Sequence, residues 1–181
     1  MKKILFILFI LPLFSIAQDD ENKTPHEEIS TYEYSEWLSL GKQDLDSLRY
    51  SDAIKWLSMA IYLEPEQPIA YLHRGDAFNQ MGEYPEAIED FTRVIKLTPN
   101  ENIGYLGRGL AYGRFGNYNS AINDFSKLIE MNPDDELYYA TRGDFNRDNK
   151  EFDKACADYN YALKLGNTDS YVIDFVKNNC N

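Results

Sequence analysis

Apolar residues along this chain fall into a pattern that recurs every 34 positions. Within each period two stretches with helical spacing of their apolar residues flank a short polar turn, and a second turn closes the period. In the second copy the pattern predicts a helix over Ile69 to Met81, a turn at Gly82-Glu83-Tyr84, and a second helix opened by Pro85 and stopped at Leu97-Thr98-Pro99-Asn100. Proline is tolerated in a first helical turn because its missing N–H would have no intrahelical acceptor there. In the third copy Gly116-Asn117 turns the chain and Asn132-Pro133 stops it.

The register is carried by four glycines, Gly41, Gly75, Gly109 and Gly143, spaced by 34 without insertion. Four positions earlier stand Trp37, Tyr71, Tyr105 and Tyr139; nine later stand Tyr50, Tyr84, Tyr118 and Phe152. Twelve later is always alanine (Ala53, Ala87, Ala121, Ala155), and sixteen later is bulky (Leu57, Phe91, Phe125, Tyr159). Nineteen later come Ala60, Val94, Leu128 and Ala162, and twenty-four later Pro65, Pro99, Pro133 and finally Asn167. Self-similarity at this period predicts a solenoid of stacked helical hairpins. The small residues supply the gaps through which two helices approach, and the aromatics are expected to fill them.

The pattern resembles the tetratricopeptide repeat. The W-x2-L-G half stands as Trp37-Leu38-Ser39-Leu40-Gly41, and the A-x3-F…P half as Ala87, Phe91, Pro99 and as Ala121, Phe125, Pro133. The resemblance implies an all-α fold: a right-handed α-solenoid of four helix-turn-helix repeats over residues 32–167, divided at about 34–67, 68–101, 102–135 and 136–167. A capping helix is expected over 168–181, with Val172, Ile173 and Val176 covering the open end of the stack. The outer copies depart from the pattern: Gln43-Asp44 replace the Ala77-Phe78 and Ala111-Tyr112 pairs, and Lys150 replaces the turn glycine. Terminal repeats of a solenoid need polar faces, although the first helix of copy one is expected to pack loosely.

Two features are coupled to the repeat. Arg74, Arg108 and Arg142 precede their glycines, and Asp90, Asp124 and Asp158 precede the bulky residue of the second helix; copy one has Leu40 and Trp56 instead. Because the two positions switch together, they are expected to form Arg–Asp bridges rather than solvated charges. The chain also has two cysteines, Cys156 and Cys180, placed 11 residues before and 13 after the turn at Asn167. In an antiparallel hairpin those ends meet, and a disulfide is expected; the alternative is a buried and a free thiol.

Residues 1–17 read as an export signal: Lys2 and Lys3, an apolar run from Ile4 to Phe14 broken only by Pro12, then Ser15-Ile16-Ala17. The run falls short of the roughly 20 residues of a spanning helix, which disfavours an uncleaved anchor. The residue after the cut is Gln18, not the cysteine a bacterial lipoprotein needs. Residues 18–31 are polar and acidic without apolar periodicity and read as a disordered lead-in. Cleavage leaves 16 basic and 30 acidic residues, a net charge of −14. Such a surface repels nucleic acid and anionic membranes and attracts basic partners, or simply keeps the protein soluble.

No catalytic residues, metal ligands or cofactor are expected. The histidines His26 and His73 lack further ligands at metal spacing, no phosphate-binding or hydrolase motif is present, and Asp44-x-Asp46 lacks the glycine and glutamate of a calcium loop. The resemblance implies instead that the first helices line a concave groove for a protein or peptide partner. The groove residues would be Leu38, Lys42, Leu72, His73, Asp76, Asn79, Gln80, Leu106, Leu110, Arg114, Asp144 and Arg147. The leucines at these positions argue against a clamp for a C-terminal carboxylate, and packing between repeats would explain them equally well. The expected function is an extracytoplasmic protein–protein interaction module of a bacterial envelope. The alternatives are a structural subunit docking through its edges and, more remotely, an enzyme or small-ligand binder.

Overall fold

The computed structural model describes residues 32–180. The expected export signal (1–17) and lead-in (18–31) lie outside the described residues. The described residues form helices and no strands, in the order α1 (Tyr34–Asp46), α2 (Tyr50–Leu63), α3 (Pro68–Met81), α4 (Tyr84–Leu97), α5 (Asn102–Phe115), α6 (Tyr118–Met131), α7 (Glu136–Asp148), α8 (Phe152–Leu165) and α9 (Ser170–Asn179). Each helix packs on the next in sequence, and the first helices of the first three repeats also touch one another. This is the all-α stack of hairpins that the period predicts.

The repeating glycines sit where the bulky residue sixteen positions on needs room. A Cβ added to Gly75 would lie 3.0 Å from the Phe91 ring, and one on Gly109 would lie 2.9 Å from the Phe125 ring. Ala53, Ala87, Ala121 and Ala155 are completely buried, as are Leu57, Phe91 and Tyr159. The aromatics before the glycines behave differently from the expectation. Trp37 is buried, but Tyr71, Tyr105 and Tyr139 are half-buried. The hydroxyls of Tyr71 and Tyr139 donate to the carbonyls of Pro65 and Pro133 at 3.2 and 3.1 Å. A phenol buries its ring edge while its polar tip keeps a partner at the surface.

The turn inside every repeat closes in the same way. The residue just past the left-handed position donates its N–H back into the first helix, as Glu83 N to Phe78 O (2.9 Å), Asn117 N to Tyr112 O (2.9 Å), Arg49 N to Asp44 O (2.8 Å) and Glu151 N to Asn146 O (2.8 Å). The preceding residue has positive φ: Gly82 (82°) and Gly116 (83°), but also Leu48 (60°) and Lys150 (65°). A side chain there costs about 1–2 kcal/mol. Lys150→Gly is therefore expected to stabilise the protein by about 0.5–1 kcal/mol after the extra chain entropy of glycine is subtracted. A urea midpoint that falls on this substitution would contradict the reading.

The predicted arginine bridges are present in all three copies that have the pair. Arg74, Arg108 and Arg142 each grip both oxygens of Asp90, Asp124 and Asp158 through Nε and Nη2, at 2.6–3.0 Å. Their Nη1 reaches Ser58, Thr92 and Ser126 of the preceding repeat at 3.0–3.2 Å. Each guanidinium thus ties its own hairpin together and staples it to the one before, with the half-buried tyrosine ring beside it. Copy one replaces this device. Trp56 stacks on Trp37 (centroids 5.4 Å apart) and donates its indole N–H to the buried Asp44 at 2.9 Å, and Arg49 pairs with the same carboxylate. The expectation that Asp44 marks a loosely packed α1 is corrected: Asp44 is buried and doubly held.

At the other end α9 packs on α8 through Val172, Phe175 and Val176. Ile173 was expected on that face but is 45% exposed. Val172, Phe175 and Val176 follow the three-and-four spacing of one helix face, and Ile173 is turned about 100° from Val172. Cys156 on α8 is bonded to Cys180 at the end of α9, with Cα atoms 5.5 Å apart. The unreduced, denatured protein is expected to show no free thiol. Cys180→Ser is expected to cost about 3 kcal/mol of α9 docking in the loop-entropy account. Unchanged exchange protection of α9 amides in that variant would rule this out.

Candidate partner-binding surface

The stack leaves one side of each first helix outside the hairpin cores. Positions three to four apart share a helix face, so the predicted groove residues form rows along α1, α3, α5 and α7. Leu38 and Leu72 are half-buried and pack against the clusters around Ala53 and Phe91, so both serve inter-repeat packing. Lys42, Gln80 and Arg114 are exposed, and Leu106 and Leu110 are half-buried on α5. An open depression along α1 is lined by Leu38, Lys42 and Asp46, among others.

Two exposed apolar residues of the first helices are absent from the expected groove set. Ile103 is 41% and Leu137 59% exposed; Ile103 lies one turn before Leu106, and Leu137 two turns before Asp144. Ile103, Leu106, Leu110 and Arg114 form one continuous face of α5 at spacings of three and four. Extending the same spacing toward the helix N-terminus would have found them.

The α7 end is occupied from within. The Tyr159 hydroxyl donates to Asp144 at 2.7 Å, Arg147 pairs with Asp144 (3.1 Å) and Asp148 (2.7 Å), and Arg147 also meets the Tyr171 hydroxyl of α9. Asp144 is therefore already held by α8 and by Arg147, and Arg147 in turn reaches the capping helix. Burial raises the Asp144 carboxyl, while the Tyr159 hydroxyl and Arg147 hold it back.

The α3 part is the opposite case. Asp76 occupies the position of Asp144, but the residue facing it in register is Phe91, which has no hydroxyl to give. Asp76 has no hydrogen bond or ion pair among the described residues, and burial pushes its carboxyl up to about 6. Both ring nitrogens of His73 and the Oδ1 of Asn79 are also buried without a partner among the described residues. Burial, with Lys42 adding to it and Asp46 opposing, holds the His73 imidazole below the ordinary histidine range. His73 stands where α5 has Gly107, whose Cβ would lie 2.5 Å from the Phe91 ring. The smaller Leu57 at the matching place in copy one leaves space that an imidazole can take.

Because folding raises the Asp76 pKa, its contribution favours the native state at pH values below its unfolded pKa near 4. That contribution is lost as pH rises through about 6. Asp76→Asn is accordingly expected to stabilise the protein at pH 7.5 by up to about 3 kcal/mol, with the gain vanishing toward pH 4. Paired urea melts at the two pH values check this; a pH-independent difference would show that Asp76 is solvated.

Among the described residues no group of three or more His, Cys, Asp or Glu side chains could hold a metal ion. No described helix is long and apolar enough to cross a membrane.

The fold and its open first-helix face define a helical-repeat solenoid of the protein-interaction class. A family model described as TPR repeat matches residues 75–116, and one described as tetratricopeptide repeat matches residues 106–170. Together these span more than half of the chain, and the protein belongs to the tetratricopeptide repeat family. Solved structures agree. A crystal structure of MamA is 27% identical, covers 73% of this chain and 77% of its own, and superposes with a TM-score of 0.69. MamA 41-end from Desulfovibrio magneticus RS-1 is 18% identical over 77% of each chain, with a TM-score of 0.70. The first TPR of Spaghetti (RPAP3), bound to HSP90 peptide SRMEEVD, is 16% identical, covers 64% of this chain and 91% of its own, and has a TM-score of 0.60. No curated protein matches the chain in a sequence comparison.

Proposed function

We propose that this protein is an exported interaction module that holds a peptide or protein partner along the first-helix face of its repeats. In this reading residues 1–17 are removed as an export signal and 18–31 form a polar lead-in, with neither nucleic acid nor a membrane as partner. The observation that carries the groove reading is the exposure of Ile103 and Leu137, large apolar side chains in line with the half-buried Leu106 and Leu110. A peptide complex of a similarly folded domain supports it. The disulfide and the acidic surface favour an oxidising compartment and a soluble state.

A second reading has its own observation. Leu48, Met81, Phe115 and Phe152 are exposed along the edge made by the turns inside the repeats, with Phe115 leaning on Tyr84. An assembly subunit would dock through this edge.

Affinity capture with the tagged protein from an envelope extract of its source separates the two. Leu72 is unsuitable for disruption because it supports the core; Ile103→Asp with Leu137→Asp disrupts the strip at exposed positions. A partner lost with this pair and kept with Phe115→Asp/Phe152→Asp supports groove binding. The reverse pattern supports the edge, and a partner indifferent to both pairs refutes both readings.

A further inference from the structure

We infer that the α3 segment of the groove is a subsite for a basic side chain, an arginine or a lysine, carried by a partner segment that is otherwise apolar. This rests on the groove reading above and specifies its occupant. Asp76 offers a carboxylate with no counter-ion among the described residues, and one turn on Asn79 offers an Oδ1 with no donor. Both belong to the same face of α3, at a spacing of three, and Asp76 is only half-buried, so it is reachable from the groove. Against these acceptors stands the single N–H of a neutral His73 imidazole. A guanidinium or ammonium group supplies several donors and the missing charge at once.

The surroundings agree in sign. Lys42 and Asp46 on α1 flank His73 and offset each other in charge, leaving Asp76 as the uncompensated charge of this segment. A second carboxylate in the groove would be repelled, and the net charge of −12 for the whole chain draws cationic partners at long range. On the next first helix Ile103, Leu106 and Leu110 continue the face with apolar side chains, so a partner residue next to the basic one meets hydrocarbon. The position of Asp76 carries leucine in α5 and a hydroxyl-bonded aspartate in α7. A bare carboxylate there weakens the fold at neutral pH, as a binding residue does when the ligand supplies its partner.

The test pans the purified protein at pH 7.5 against a random heptapeptide display library, alongside Asp76→Asn, Ile103→Asp/Leu137→Asp and the surface control Asp134→Asn. The expected result is enrichment of peptides with arginine or lysine beside leucine, isoleucine or phenylalanine. Affinity of the best synthesised peptide should fall at least about tenfold with Asp76→Asn, or when citrulline or norleucine replaces the basic residue, and not with Asp134→Asn. Enriched peptides that lack a basic residue, or that ignore Asp76→Asn but are lost with Ile103→Asp/Leu137→Asp, would overturn this inference and leave groove binding standing. Failure to enrich any peptide, or enrichment indifferent to every variant, would overturn both.

Discussion

Phe125→Ala should destabilise the protein by about 3–5 kcal/mol. Phe125 is 1% exposed and lies at a junction of three helices. Its ring lies against Gly109 of α5 and meets Phe145 of α7 edge-on at 5.4 Å and Tyr138 at 6.2 Å. Truncation removes a large apolar group and leaves a cavity that rigid helices cannot collapse, so the transfer and cavity contributions add. In a solenoid the loss falls on the third hairpin and its two interfaces. Urea unfolding should therefore show a lower midpoint, and amide exchange should rise first around α5 to α7. A loss below about 0.5 kcal/mol, the range of surface sites, would show the core register to be wrong.

Arg108→Ala should cost about 3–5 kcal/mol, most of it from the carboxylate it strands. The Asp124 side chain is 7% exposed, and both of its oxygens are held by the Arg108 fork at 2.8 and 2.9 Å. Without the arginine a buried charge keeps no counter-ion, and the Thr92 hydroxyl of the preceding repeat loses the Arg108 donor at 3.2 Å. The pair itself is worth less than its rupture, because its formation also cost two desolvations. Arg108→Leu combined with Asp124→Leu is thus expected to recover a large part of the loss. Copy one of this chain already shows an apolar solution at the same two positions, Leu40 and Trp56. A double-mutant cycle on Arg108 and Asp124 measures the coupling. A value near zero would mean that the fork contributes nothing to the stapling of repeats.

The arginine bridges could be read in advance because both partners change together in copy one, and a paired switch signals contact. What replaces them was not legible. The Trp37–Trp56 stack and the indole bond to Asp44 use side chains that the other copies do not carry at those positions. The same limit explains Ile173. In α9 the apolar side chains Tyr171, Val172, Ile173, Phe175 and Val176 lie on adjoining faces, and only the docking angle on α8 selects Val172, Phe175 and Val176. The cysteine pair was legible because the arms of a helical hairpin of known length bring defined ends together.

The candidate site divides along the same line. The rows of first-helix residues follow from the period, and extending that spacing toward the helix N-termini reaches Ile103 and Leu137. Which members are free to bind does not follow from it. Asp144 is satisfied because Tyr159 brings a hydroxyl, while Asp76 is bare because Phe91 brings none. By itself the sequence determined the helices and their pairing into hairpins, since these depend on spacing along one chain. The tertiary structure alone decided which polar groups of those helices keep a partner, since a hydrogen bond depends on atoms that folding brings within 3 Å from another helix.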